Sequence, residues 1–347
     1  MALITGHGPV IGDTLPFAGP AARAYRGRRV LVLGATGFIG RWVAVHLWHA
    51  GAELTVTARD TKTASTILDG LGIDATIYRL DLLDLDRIRT VYRSVRPAIT
   101  FNLAGYGVDP KEQDARTAAG INEKLPPILC AGASHIEGEW HGPRLIHAGS
   151  ALEYGAATGD LREDTNPLPT TLYGRTKLAG TRALQEESAR SSVNAVVARL
   201  FTVYGPGERA GRLLPSLIEA ARTNTPVPLT SGRQRRDFSY VEDIAAALLN
   251  LGIAPTTPGE VVNLASGKLL PVRDFVLQAA QVLRLGEDHL RFGEKPTRGE
   301  EMSHNSVNIN RLRDLIGTAP EADVAAGVKR TLDRLAGLGA PTQIPGR

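Results

Sequence analysis

The stretch Tyr173-Gly-Arg-Thr-Lys177 sets a phenol and an ammonium four residues apart, a spacing that puts two side chains on one face of a helix. A neighbouring ammonium favours phenolate, so Lys177 is expected to lower the pKa of Tyr173 and make it an acid/base near neutral pH. Upstream, Arg144 to Gly155 (RLIHAGSALEYG) reads as a strand running into a turn, with Ser150 at the strand's end. A hydroxyl there can donate to the oxygen on which Tyr173 acts and hold its geometry. Serine, tyrosine and lysine in this order suit proton transfer at a substrate oxygen.

Proton transfer alone does not say where the electrons come from, and an earlier stretch addresses that. Val30 to Gly40 (VLVLGATGFIG) is a short apolar run ending in Gly34, Gly37 and Gly40. Val30-Leu31-Val32-Leu33 has the length and β-branched content of a buried parallel strand, and the glycines let the chain turn tightly into a helix beginning near Phe38. Without a side chain at Gly37, a pyrophosphate can approach the backbone, where free N–H groups at a helix start favour an anion.

From Arg28 onward, strand and helix patterns alternate, which argues for a parallel sheet covered on both faces. Arg41 to Gly51 is the first crossover helix. Its His46 and His49 are three apart, but Trp42, Leu47 and Trp48 surround them and no third ligand is in sight, so they read as packing and no metal site is expected. Glu53 to Thr57 is a second strand, Ala75 to Tyr78 a third, Ile99 to Leu103 a fourth and Ala195 to Val203 a sixth, after the one bearing Ser150; Val261 to Ala265 returns to the core. The second strand is followed by Ala58-Arg59-Asp60. An acidic side chain at that strand end would hold a ribose 2′-hydroxyl, whereas an arginine would pair with a 2′-phosphate. Arg59 therefore points to NADP, with NAD as the alternative because Asp60 offers a carboxylate two places on.

The 347 residues are 43% hydrophobic, enough to bury a large core. With 40 basic and 36 acidic residues the net charge is only +4, which gives no ground for nucleic-acid binding. A single cysteine, Cys130, excludes an internal disulfide framework and reads as a small buried residue, consistent with a reducing cytoplasm. There is no run of about 18 apolar residues for a membrane span, and the first 27 residues lack the character of a secretory signal.

The G-x-x-G-x-x-G spacing in GATGFIG, with the later YxxxK, resembles the extended short-chain dehydrogenase/reductases, the epimerase/dehydratase enzymes of nucleotide sugars. Glu163 to Pro169 is similar to that family's EDTPLxP segment, and RLFTVYGPG to its RxFNVYGPG. The resemblance covers residues 28 to about 320. It implies a Rossmann-type doubly wound α/β fold with a smaller α/β substrate-binding domain. It assigns Gly34, Thr36, Gly37, Phe38, Ile39, Gly40, Asp81, Leu82, Leu103, Ala104 and Gly105 to the cofactor, with Asp81 and Leu82 at the adenine. Lys177 would also hold the nicotinamide ribose, and Asn122 would support the active-site backbone. Asp81 and Asp84 are equally natural helix caps. Thr202 stands where relatives carry a substrate-contacting Asn; Arg212, Leu213, Arg236 and Arg298 match segments that clasp a nucleotide and its diphosphate. Arg233 and Arg235 read as solvated.

The organisation expected is a flexible extension at 1–27, a dinucleotide-binding domain at 28–203 rejoined by the strand at 261–265, a mainly nucleotide-sugar-binding domain at 204–337, and a tail at 338–347. Ser150 is followed by Ala151-Leu152 and not by the Asp-Glu pair of the 4,6-dehydratases, although Glu153 lies one place beyond. Hydride transfer at sugar C4 is therefore expected: a 4-ketoreductase first, a 4-epimerase of the UDP-glucose 4-epimerase kind as the alternative. A dehydratase or a dinucleotide sensor without chemistry comes behind both. The resemblance also implies a homodimer through the helix of Tyr173 and the residues around Asn122.

Overall fold

The computed structural model describes residues 17–109, 111–136, 138, 140–297 and 302–337. In chain order the strands are β1 (Arg29–Leu33), β2 (Glu53–Ala58), β3 (Thr76–Arg79), β4 (Ile99–Asn102), β5 (Leu145–Ser150), β6 (Asp160–Leu161), β7 (Ala195–Leu200), β8 (Thr202–Tyr204), β9 (Val227–Leu229), β10 (Arg235–Tyr240), β11 (Glu260–Leu264), β12 (Leu269–Pro271), β13 (Leu290–Phe292) and β14 (Ser306–Val307). The α-helices are α1 (Pro20–Arg23), α2 (Phe38–His49), α3 (Thr61–Gly70), α4 (Leu85–Val95), α5 (Ala115–Ala118), α6 (Leu125–Ala133), α7 (Leu172–Ser191), α8 (Leu213–Thr223), α9 (Val241–Leu251), α10 (Val272–Leu283), α11 (Asn310–Ile316) and α12 (Val324–Gly337).

Seven strands form one sheet in the order β3-β2-β1-β4-β5-β7-β11. All six pairings are parallel. The apolar runs of β1, β4, β5 and β7 are buried because helices cover both faces, as parallel strands require. One face packs on α2 and α9 through Val30, Val32, Trp42, Val43 and Leu248. The other packs on α4, α6 and α7 through Leu31, Leu33, Ile88, Leu129 and Leu184. Strand order reverses between β1 and β4, and a crevice outside the carboxyl ends of the strands is where such sheets bind ligands.

The sequence pattern over Ala195 to Val203 does not form one strand. β7 stops at Leu200, and β8 pairs instead with β10 in a separate three-stranded sheet, β12-β10-β8. That sheet, the β13-β9 pair and helices α8, α10 and α12 enclose a further apolar cluster around Phe275, Phe238 and Leu217. Phe238 and Phe275 stack with ring centroids 4.2 Å apart. Of the extension expected at 1–27, residues 1–16 lie outside the described residues; in the rest, Phe17 and Tyr25 are buried, and the Tyr25 hydroxyl donates to the Leu249 carbonyl at 2.6 Å.

Candidate active site

Gly34, at the end of β1, takes φ +79°, and a Cβ there would lie 2.9 Å from the backbone of Leu103 and Ala104. This lets the β1 turn sit directly on the end of β4. A Cβ at Gly40 would fall 2.1 Å from the Gly34 carbonyl oxygen, so α2 packs against the turn just as closely. Gly37 caps α2, donating its own N–H to the Gly34 carbonyl at 2.9 Å, and is exposed beside half-buried Thr36, Phe38 and Ile39. No side chain caps this helix start and its first turn carries no acid. An open N-terminus of that kind fits a dinucleotide pyrophosphate.

At the adjacent strand end, Ala58 is in register with Arg79, and Arg59 is exposed. Asp60 caps α3, accepting from the N–H groups of Lys62 (3.0 Å) and Thr63 (3.2 Å) and from the Thr63 hydroxyl (2.6 Å). Asp81 accepts from the Leu83 N–H at 3.0 Å in the turn after β3, while Asp84 caps α4. Leu82 packs against the α4–α6 cluster.

The residues expected to do the acid/base chemistry, Ser150, Tyr173 and Lys177, are brought together by two close approaches of α7. A Cβ at Gly174 would lie 2.3 Å from the Leu152 carbonyl oxygen, and one at Gly180 1.9 Å from that of Asn122, so glycine alone lets the helix rest on both segments. Thr171 caps the helix, accepting from the Gly174 N–H at 2.9 Å. Tyr173 then comes close enough to Ser150 to feel its hydroxyl, and lies beside Gly105 and Gly107. Asn122, on a π-helical turn (Ala119–Lys124), accepts from the Tyr106 N–H (3.1 Å) and donates to the Tyr106 carbonyl (2.7 Å) and to Thr176 Oγ1 (3.0 Å), fixing the backbone after β4. Lys177 is buried and its Nζ donates to the Ala148 carbonyl at 2.5 Å. Burial pushes the Lys177 ammonium down to about 8, against the opposing charge of Glu153. The Tyr173 phenol moves up from its ordinary value, not down: burial raises it, Glu153 and Glu112 add to this, and the Ser150 hydroxyl and Arg212 only partly offset them. The expected lowering by Lys177 fails because the ammonium is turned to a backbone carbonyl.

Arg212 precedes α8, lies 4.0 Å from Glu208 and projects its charge onto Tyr173; Leu213 opens that helix. Arg209 pairs with Asp109 and, at 3.7 Å, with Glu112, linking this loop to the one after β4. Thr202 lies in β8 opposite Phe238, and half-buried Arg236 in β10 opposite Leu270. Arg233 and Arg235 are exposed, as expected. Arg298 falls outside the described residues.

The profile of the NAD dependent epimerase/dehydratase family matches residues 30–265. The chain belongs to that family. As a member of it, the chain is 29% identical to dTDP-6-deoxy-L-talose 4-dehydrogenase (NAD(P)(+)) of Kitasatospora kifunensis over 91% of its own length and 96% of the relative's. It is 26% identical to the UDP-glucose 4-epimerase of Streptomyces lividans over 86% and 93% of the two chains. In fold it is similar to the epimerase Mth375 of Methanothermobacter thermautotrophicus, with a TM-score of 0.78, 23% identity and coverage of 91% and 94%. It is an NAD(P)-dependent oxidoreductase/epimerase of the extended short-chain type.

Within this epimerase/dehydratase frame, Glu153 has partners that its place in the sequence does not reveal. Glu153 is fully buried. Its Oε1 accepts from the Ser150 N–H (2.8 Å) and its Oε2 from Thr181 Oγ1 (3.0 Å) and Arg199 Nε (3.0 Å). Arg199 in turn lies 4.5 Å over the Tyr154 ring, whose hydroxyl donates to Asn263 Oδ1 at 2.7 Å. A carboxylate so occupied is not placed to abstract a substrate proton. The pairing was invisible because Glu153 and Arg199 belong to different elements 46 residues apart. Among the described residues no group of three His, Cys, Asp or Glu could hold a metal, and no helix is long and apolar enough to cross a membrane.

Proposed function

We propose that the protein is an NADPH-dependent reductase of a 4-keto nucleotide-diphosphate sugar. The observation that carries this is the end of β2: Asp60 is spent on capping α3, which leaves exposed Arg59 as the residue beside Ala58 able to meet a ribose 2′-substituent, and guanidinium pairs with phosphate. Bound NADPH would supply the hydride to C4. Tyr173, held in its neutral form, gives a proton to the oxygen that the reduction leaves charged, and Ser150 donates a hydrogen bond to the same oxygen. Lys177 holds the nicotinamide ribose, and Arg212, Leu213, Thr202 and Arg236 contact the substrate, with Arg298 on the diphosphate. The resemblance to a dTDP-sugar 4-dehydrogenase supports chemistry at C4, and the occupied Glu153 speaks against a 4,6-dehydratase.

A C4 epimerase is the second reading, favoured by the likeness to a UDP-glucose 4-epimerase across most of both chains. Denaturing freshly purified protein and identifying any dinucleotide released separates the two. An empty protein that binds NADPH more tightly than NADH and reduces a member of a 4-keto nucleotide-sugar panel is the expected result. Near-stoichiometric NAD would overturn it in favour of the epimerase. A homodimer through α7 and the segment around Asn122 goes with either reading; Asn122 is itself buried in the protomer, so its neighbours Ile121, Glu123 and Lys124 would make the contact. Sedimentation at micromolar concentration should give twice the monomer mass, and a monomer there would remove the dimer.

A further inference from the structure

Glu153 joins three elements that must agree for the site to work: the turn bearing Ser150, helix α7 bearing Tyr173 and Lys177 (through Thr181), and strand β7 (through Arg199). The neighbouring backbone is shaped around it. A Cβ at Gly149 would lie 2.8 Å from Glu153 Oε1 and 2.8 Å from Val197 Cγ1, so the residue before Ser150 has to be glycine for the carboxylate to fit. Ser150 answers by accepting the Leu152 N–H on its Oγ at 3.2 Å, closing the turn in which Glu153 is held. Glu153 is fully buried, so it acts on the reacting groups through its neighbours.

We propose that Glu153 is a positioning residue: it fixes the Ser150 backbone and, through Thr181 one helical turn beyond Lys177, sets a buried carboxylate against the face of α7 that carries Tyr173 and Lys177. The inference rests on reading Lys177 as the ribose-holding lysine and Tyr173 as the acid, and it is independent of which sugar is reduced. A buried carboxylate acts at short range with little screening, favouring the Lys177 ammonium and disfavouring a Tyr173 phenolate. The groups facing Lys177 are Glu153, the Ala148 carbonyl and, on β5, His147, which burial keeps neutral. Those facing Tyr173 are Glu153, Ser150, Glu112 in the loop after β4, and Arg212 before α8. Arg199 offsets part of the Glu153 charge from β7. Against burial, which pulls the Lys177 proton off towards pH 8, Glu153 is the charge that holds it on.

The test is NADPH binding by fluorescence from pH 6 to 10, in the wild type, Glu153→Gln, the double variant Glu153→Leu with Arg199→Leu, and Lys177→Arg. Wild-type affinity should fall on the alkaline side with a midpoint near 8 as Lys177 loses its proton. In Glu153→Gln that midpoint should move down by about one pH unit, little changed by salt. If the single variant leaves Arg199 stranded and fails to fold, the double variant, which removes both buried charges, should fold and carry the same shift. In Lys177→Arg the limb should vanish. A folded Glu153 variant with an unmoved midpoint overturns the inference, even if its turnover is lower, since a purely structural role would slow the enzyme without shifting the limb. A limb that persists in Lys177→Arg overturns it too. Wild-type protein that binds NADPH with this limb yet reduces no 4-keto nucleotide sugar overturns the proposed reaction and leaves Glu153 in its role.

Discussion

A phenol kept neutral by burial and by a nearby carboxylate carries a proton to give and has no charge with which to take one up, and this sets what Tyr173 can do first. Replacing Tyr173 with Phe should abolish turnover while leaving dinucleotide affinity nearly unchanged; retained turnover would remove Tyr173 from the chemistry. At the other end of the cofactor, Arg59→Ala should weaken NADP binding roughly 10- to 100-fold, the worth of a hydrogen-bonded charged partner, and leave NAD binding where it was. Equal losses for the two dinucleotides would return the site to NAD. The types and spacing of Ser150, Tyr173 and Lys177 were legible because each chemistry sits in a short stretch. The direction of the Tyr173 shift was not, because spacing along a helix says that two side chains share a face and nothing of which carbonyl the ammonium meets. Glu153 looked like a displaced catalytic base because its partners, Thr181 and Arg199, come from elements that only the fold brings together.

Among the elements, helix α7 is the one whose position the site depends on most, and its glycines set that position. Gly174→Ala would drive a methyl to 2.3 Å from the Leu152 carbonyl oxygen, and backbone cannot yield as a flexible side chain would. Overpacking of this kind should cost about 1 to 3 kcal/mol in urea denaturation and lower kcat by displacing Tyr173. Gly70→Ala is the contrast: at the end of α3 a methyl meets nothing within 4 Å, and the better helix former should add about 0.5 to 1 kcal/mol. Loss of stability in both variants, or in neither, would contradict the packing described for α7. Helix starts and most strands were readable from glycines, caps and apolar runs. The break at Phe201 was not: the apolar pattern runs on from β7 into β8, and only the pairing of Thr202 to Tyr204 with β10 moves it to another sheet.

On the scale of the whole molecule, helix α2, the one proposed to meet the cofactor, packs on α9, and the C-terminal helix holds α9 from behind. Buried Glu242 accepts from Arg334 at 2.9 and 3.0 Å, Arg330 pairs with Asp243 at 2.8 Å, and Trp42 Nε1 donates to the Pro206 carbonyl at 2.9 Å, tying α2 to the Tyr204-Gly205-Pro206-Gly207 turn. His46 lies in this layer, buried, with both ring nitrogens unpartnered. Burial, helped by the charges of Arg334, His49 and Arg330 and opposed by the nearby Glu242 backbone, lowers it from 6.5 to about 3. The unfolded chain therefore takes up a proton on His46 below its ordinary pKa, while the folded chain does not until about pH 3. This contribution to stability is complete above 6.5 and is lost as the pH falls from 6.5 towards 3. One proton is worth about 1.4 kcal/mol per pH unit across that window. Between pH 6.5 and 4.5 the unfolding free energy of His46→Leu should thus fall by about 2 to 3 kcal/mol less than that of the wild type, the carboxylates titrating alike in both. Equal falls would mean that His46 reaches water or a partner in the folded protein, and that the layer behind α2 is not as dry as its packing requires.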